Sequence, residues 1–435
     1  MTLRSVSLLL VLASFASAQT RKLSPKDLPP SAFKLVSLKV TGNQRYTPDE
    51  ITEISGLKLG QTVGDAEFKA AVQHLGDSGV FTDVAYSYQY APDGTRLTFQ
   101  VTEADKLVPA RFDNIVWYSD EDLLAKLRER VPLFRGELPV AGNLPDKVSD
   151  ALQALMDERG VKGRIDYLRS SAKEDGPISS FLYTIKGTDM RIRNVDFSGA
   201  TAAELPLLQA AAKPIQGADY ARSRLRVQED KNLRPIYLAR GYLKARFADA
   251  QAKVVDDTSN PTQVDVTFPV TPGVQYKTTE VQLAGATAFP ASQLQPMIHL
   301  PAGLPANAVQ LLDDLDAIKK LYGTKGYMTA SFDPMPEMDE AQATVKYVID
   351  VNEGSVYKMG DLTIEGLDRQ TTARLVEAWQ LRGGQPYDAS YPKRFFLETA
   401  REISGMGGWN ITTNESLDEK NKVVDVTIRY DPKPR

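Results

Sequence analysis

A glycine followed by an apolar or aromatic residue returns at a nearly constant interval along this chain. The pairs are Gly79-Val80, Gly160-Val161, Gly241-Tyr242, Gly326-Tyr327 and Gly408-Trp409, spaced 81, 81, 85 and 82 residues apart. Each follows a helical pattern and opens an alternating one, as glycine does when it ends a helix in the left-handed conformation and a strand begins at once. A 435-residue chain built on that period holds five small units in series rather than two to four large domains.

Two further features share the period. A strand-like run ending in glycine precedes the first helix at 36–42, 192–199, 281–285 and 362–366, and each unit closes on a strongly alternating strand at 97–101, 181–185, 264–268, 345–349 and 424–428. One unit reads β-α-α-β-β. In the first, 34–41 alternates as a strand, Thr47-Pro48-Asp49-Glu50 supplies N-cap and first-turn chemistry, and Gly56 ends a short helix. Residues 65–78 form the second helix, 83–90 the next strand, Asp93-Gly94 the hairpin turn and 96–102 the return. In the fourth unit Leu311, Leu312, Leu315, Ile318, Leu321 and Tyr322 mark one apolar helix face. The predicted class is α+β: five tandem three-stranded sheets, each covered by two helices, in an elongated array. The boundaries are 33–105, 106–188, 189–273, 274–354 and 355–435, after a signal peptide at 1–18 and a linker at 19–32.

The signal reading rests on Arg4, an apolar run at 8–15 and the small-x-small site Ala16-Ser17-Ala18. That run is well short of the roughly 20 residues that span a bilayer. The chain has no cysteine, so thiol catalysis, disulfides and an acylated cysteine are excluded, and its cores must be held by ordinary packing. Its 52 basic and 56 acidic residues leave a net charge of −4, which gives no footprint for nucleic acid and no electrostatic membrane tether.

The β-α-α-β-β order, the unit near 80 residues, the first strand ending at Gly42-Asn43, the helix endings at 238–243 and 321–327 and the closing run at 348–354 resemble tandem POTRA (polypeptide-transport-associated) domains. These modules stand in the periplasmic part of the outer-membrane barrel-assembly family. The resemblance covers about residues 33–431 and implies a periplasmic protein beside the outer membrane, with unfolded outer-membrane clients or a barrel protein as partners. Family members usually continue into a membrane barrel, whereas this chain stops at Arg435, so the expectation is a scaffold without the barrel. The resemblance assigns peptide binding to the strand after each second helix. The candidates carried over are Val84, Tyr86 and Tyr88 in 83–90, Ile165 and Tyr167 in 164–168, Ala245 and Phe247 in 243–247, Thr329 and Phe332 in 328–332, and Trp409 and Ile411 in 409–412. Packing on the helices explains the same alternation equally well.

Three local departures stand out. The second unit offers Asp113-Asn114-Ile115 where a glycine is expected and inserts 131–143, with Pro132 and Pro139, between its helices. Pro235 falls inside the second helix of the third unit and Pro269 inside its closing strand, which predicts a kink and a locally broken ladder. No catalytic site, cofactor or metal is expected. His74 and His299 are the only histidines and lie in different units. Ser170 and Lys173 match a hydrolase spacing without its companion motifs. Asp313-Asp314 and the acidic stretch 337–340 read as solvated faces, not calcium loops. A structural spacer of the cell envelope, with no client binding, is the competing function.

Overall fold

The computed structural model describes residues 28–433 except 172, 174, 259 and 400–408. The signal segment, most of the linker and Gly408 therefore lie outside the described residues. The chain divides into two compact bodies, residues 1–189 with units 1 and 2 and residues 190–435 with units 3 to 5. No helix among the described residues is long and apolar enough to cross a membrane.

Unit 1 opens with a 3₁₀ turn, Pro30–Phe33, followed by β1 (Leu35–Thr41), α1 (Pro48–Ser55), α2 (Asp65–Asp77), β2 (Phe81–Ala91) and β3 (Gly94–Glu103). The sheet order is β1-β3-β2, with β3 parallel to β1 and antiparallel to β2. The closing strand is therefore central, and its alternate residues Leu97, Phe99 and Val101 are buried. Helix α1 starts on a full capping box between Thr47 and Glu50 and stops at Gly56 in the left-handed region, as its sequence dictates. The hairpin turns at Pro92-Asp93, one residue earlier than expected: Ala91 already pairs with Gly94, which begins the return strand.

Unit 2 contains β4 (Val108–Phe112), α3 (Asp120–Arg130), β5 (Glu137–Leu138), α4 (Leu144–Glu158), β6 (Arg164–Ser171) and β7 (Ile178–Lys186), in the order β5-β4-β7-β6. Its insertion is a packed element. Val131, Leu133, Phe134 and Leu138 are buried, and β5 covers the outer side of β4.

Unit 3 comprises β8 (Met190–Ser198), α5 (Leu205–Ala212), α6 (Arg222–Gln228), α7 (Arg234–Leu238), β9 (Arg246–Phe247), β10 (Gln251–Asp256) and β11 (Thr262–Thr271). The kink expected at Pro235 takes the form of a π turn, Glu229–Leu233, between α6 and α7, where the missing proline N–H leaves the helical ladder open. The ladder is not broken on the inner side of Pro269: β11 runs through it, with Pro269 opposite Ser198 of β8. The break lies on the outer side, where β9 pairs with Val270 and Thr271 and β10 takes up only from Thr267.

Unit 4 holds β12 (Lys277–Ala284), α8 (Ala291–Leu294), α9 (Ala308–Gly323), β13 (Ser331–Asp339) and β14 (Thr344–Asn352), in the order β12-β14-β13. Unit 5 repeats it with β15 (Lys358–Glu365), α10 (Arg369–Ala378), α11 (Tyr391–Thr399), β16 (Trp409–Asp418) and β17 (Val423–Pro432), in the order β15-β17-β16. On α9, Leu311, Leu315, Ile318 and Tyr322 face the core, but Leu312 is 57% exposed and lies off that face.

An acid at the end of the closing strand fastens the loop entering the first helix. Glu103 accepts from the backbone N–H of Gln44 at 2.7 Å and of Arg45 at 3.0 Å. Glu353 accepts from the N–H of Thr287 and Ala288 at 2.7 and 2.8 Å and from the Tyr322 hydroxyl at 2.9 Å. Burial alone raises a carboxyl, but the donated bonds, led by the Thr287 side chain, outweigh it and hold Glu353 down at about 2. Glu353→Gln should therefore cost unit 4 about 1–3 kcal/mol at neutral pH, the worth of hydrogen bonds to a charged group. Because the folded value is depressed, this contribution is complete above the ordinary 4.5 and disappears as the pH falls toward about 2. Urea unfolding of parent and variant over that range checks it; a gap that stays constant with pH contradicts the assignment.

Candidate functional site

In four of the five sheets one edge is the strand that follows the second helix. In unit 1 this is β2, whose aromatic side chains form a row. Ring centroids are 5.0 Å apart for Phe33 and Tyr90, 5.1 Å for Tyr90 and Tyr88 and 6.3 Å for Tyr88 and Tyr86, while Phe68 of α2 lies 4.8 Å from Tyr88. Tyr88 remains 43% exposed. The Tyr86 hydroxyl donates to Asp65 Oδ1 at 3.0 Å, and Lys69 meets the other oxygen at 2.7 Å. The Lys69 and Tyr86 bonds hold the Asp65 carboxyl below its usual range, and the bond to Asp65 raises the Tyr86 phenol.

Unit 2 repeats this latch 81 residues on. The Tyr167 hydroxyl donates to Asp146 Oδ1 at 2.6 Å across an open groove of about 500 Å³ between α4 and β6. Burial, then the Asp146 bond, raises the Tyr167 phenol. Asp166 in the same groove is held low by its ion pair with Lys186. Sequence reasoning picked both tyrosines and missed both aspartates, although the 21-residue separation is the same in units 1 and 2.

The other candidates fall in less uniform places. Val84, Tyr86 and Tyr88 lie on β2, Ile165 and Tyr167 on β6, Phe332 on β13, and Trp409 and Ile411 on β16, each an edge strand. Ile165 is only 6% exposed. Phe332 packs against Tyr322 at 5.1 Å, and Trp409 and Ile411 pack on the unit 5 core. Thr329 stands in the turn before β13. The extended edge expected at 243–247 is displaced: Ala245 is buried in a turn, and Phe247 sits in the two-residue β9 against Tyr237 and Phe268. The free edge of unit 3 is β10, because the outer ladder restarts beyond Pro269.

Two of the repeated glycines, Gly241 and Gly326, also form joints between units. The Gly241 carbonyl accepts from Tyr276 N–H at 2.8 Å, and the Tyr276 carbonyl accepts from Ala306 N–H at 2.9 Å. One unit further, Gly326 accepts from Tyr357 at 2.8 Å, and Tyr357 from Tyr387 at 2.9 Å. Leu243 and Met328, two residues after each glycine, pack on the cores of units 4 and 5. Glu340, expected on a solvated face, accepts from Tyr276 at 2.6 Å and pairs with Lys244, so it belongs to the first of these joints. Between units 1 and 2, Asn143 N–H donates to the Asp77 carbonyl at 2.7 Å and Arg135 reaches Glu50 at 2.9 Å. The insertion of unit 2 is thus the surface on which unit 1 rests.

Chemistry is thin elsewhere. Among the described residues no group of three or more His, Asp or Glu side chains is placed to hold a metal ion. Asp314 is no solvated acid: it is 3% exposed and accepts from His299 N–H at 2.6 Å and from Gln310 at 2.9 Å. His74 stands 3.3 Å from the Ser55 carbonyl, between α2 and α1. Ser170 lies in β6, and Lys173 is exposed in the turn beyond it.

The repeated sheets and helices define the class, a series of small α+β units, two of which match a known family model. Residues 33–104 and 276–354 match the POTRA family model, described as surface antigen variable number repeat. The chain is similar to the outer membrane protein assembly factor BamA of Neisseria meningitidis serogroup B, 19% identical over 374 residues that make up 83% of this chain and 45% of that protein. It thus spans about half the length of that relative. Among solved structures, Haemophilus influenzae BamA POTRA3-5 is 20% identical, covering 57% of this chain and 97% of its own, with a TM-score of 0.46. POTRA1-3 of the periplasmic domain of Omp85 from Anabaena is 15% identical, covering 56% and 96%, with a TM-score of 0.26.

The joints predict a contrast between two glycines of the same period. Gly160 and Gly326 have φ of 75° and 87°, which asparagine tolerates better than other side chains. A Cβ at Gly326 would stand 2.5 Å from the Tyr357 carbonyl oxygen, whereas at Gly160 nothing lies within 4 Å. Gly326→Asn should cost about 1–3 kcal/mol and open the chain near residue 355 to protease, while Gly160→Asn stays within about 1 kcal/mol of the parent. Limited proteolysis and urea unfolding read both effects; equal losses would mean that backbone conformation alone fixes these positions.

Proposed function

We propose that this chain is a non-enzymatic periplasmic scaffold of outer-membrane protein assembly or polypeptide transport, holding extended clients or a barrel partner by adding their strands to its sheet edges. The observation that carries this reading is β2. It is an eleven-residue edge strand without a proline, backed by a row of tyrosines held on Phe68 and Asp65. An unpaired strand edge supplies backbone donors and acceptors to any extended chain, and exposed aromatic faces beside it select loosely for apolar alternation. That combination suits a protein that meets many unfolded sequences. The similarity to an assembly factor and the signal-like N-terminus agree with the periplasmic setting.

The alternative, a spacer of the cell envelope, draws on the joints, since backbone bonds from unit to unit maintain separation whether or not any edge is occupied. Crosslinking of the tagged protein in intact envelopes separates the two. Recovery of barrel proteins or nascent barrel clients supports the assembly reading, and recovery of cell-wall material alone supports the spacer.

Tyr86→Ala with Tyr88→Ala removes two rings, each worth about 0.5–1.5 kcal/mol in an aromatic contact. Affinity for an extended barrel-strand peptide should fall roughly tenfold while the melting transition of the chain persists. Titration by fluorescence anisotropy measures it, and unchanged affinity would remove β2 as the site.

A further inference from the structure

The five edges are not equivalent, and the difference lies in where proline stands. Strand β13 reads Ser331-Phe-Asp-Pro-Met-Pro-Glu-Met-Asp339, and its antiparallel ladder to β14 is unbroken over nine pairs, from Ser331 opposite Asn352 to Asp339 opposite Thr344. In such a ladder the N–H and C=O of alternate residues point together toward the partner, and those of the residues between point away. Proline has no N–H, so Pro334 and Pro336, two residues apart and therefore of one parity, belong to the outward set with Phe332 and Met338. An incoming strand of either direction would find donors only at Phe332 and Met338, roughly 20 Å apart at about 3.3 Å per residue. Two pyrrolidine rings would occupy the space between. Asp333, Glu337 and Asp339 are exposed on the same strand and add like charge along the rim.

None of the other edge strands carries such a block. Strands β2, β6 and β10 contain no proline, and β16 contains none between Trp409 and Asp418. We infer that the edge of unit 4 is closed to strand addition by Pro334 and Pro336, so that strands join other units and β13 stays unpaired. This rests on the strand-addition reading proposed above and says where along the array it cannot operate. Closure at this edge also keeps two copies of the chain from pairing β13 to β13.

The test is a gain of function in the full chain. Pro334→Val with Pro336→Thr restores two outward donors with strand-favouring residues and leaves the inward ladder to β14 untouched. The probe is a synthetic extended peptide of alternating aromatic and polar residues, read by amide hydrogen exchange. In the parent, exchange should slow in β2 and stay unchanged across 331–339; in the double variant it should slow in 331–339 as well, or the variant should self-associate through that strand. Protection of β13 in the parent equal to that of β2 overturns the inference while leaving the proposed function standing. A double variant that keeps the parent's melting transition, retains peptide protection in β2 and gains nothing at β13 also overturns it. Silence at every edge in both proteins removes the strand-addition reading and this inference with it. Pro336→Thr alone guards against a folding defect in the double variant and should give part of the gain.

Discussion

The close approach of one unit's backbone to the next, at the glycine that ends the second helix, is the constraint on which the joints of this protein depend. Glycine is needed there twice over. The turn from helix to strand requires positive φ, and at Gly241 and Gly326 a Cβ would fall 2.6 and 2.5 Å from the carbonyl oxygen of the following unit's first tyrosine. With no side chain in the way, the glycine carbonyl takes that tyrosine's N–H, and the residue two places on reaches the next core. At Gly241 and Gly326 the helix terminator and the coupling between units are thus a single residue.

Inside each unit the closing strand plays the corresponding part. Being central, it is parallel to the first strand and antiparallel to the edge, so its alternate side chains form the floor beneath both helices. At the ends of β3 and β14, Glu103 and Glu353 gather the N–H groups of the loop that starts the first helix. The strand after the second helix is held from one side only, as is the first strand except in unit 2, where β5 covers β4. The outer side carries a tyrosine row in unit 1, a latch over a groove in unit 2, a split ladder in unit 3 and two prolines in unit 4.

Much of this was legible in the sequence because the period, the capping chemistry and the alternation are local signals. The β-α-α-β-β order, the Thr47 cap, Gly56 and the closing strands needed no tertiary information. Most of the misses share one cause: their outcome is decided by contacts that the local pattern does not show. Asp314 reads as a surface acid until His299 and Gln310 are placed beside it. Glu340 reads the same way until Lys244 and Tyr276 arrive from the joint. Leu312 satisfies the helical spacing but falls off the buried face. The 131–143 insertion carries no pattern of its own because its shape is set by β4 and by the end of α2. The 21-residue spacing from Asp65 to Tyr86 and from Asp146 to Tyr167 was visible, but nothing in composition marks an aspartate as a phenol's acceptor.

Of the side chains chosen for binding, several turn inward: Ile165 and Ala245 are buried, and Phe247 and Phe332 pack on core tyrosines. Alternation cannot separate a residue that faces a helix from one that faces a client, since burial imposes the same period as recognition. If these edges recruit partners, their affinity must then come chiefly from backbone groups, and backbone groups are indifferent to sequence except at proline. Discrimination between units therefore falls to the few positions where the edge itself is altered. Proline at 334 and 336 subtracts donors, and the tyrosines of β2 add exposed aromatic surface beside donors that are intact. Sheets that share a central closing strand acquire distinct edges by such small changes.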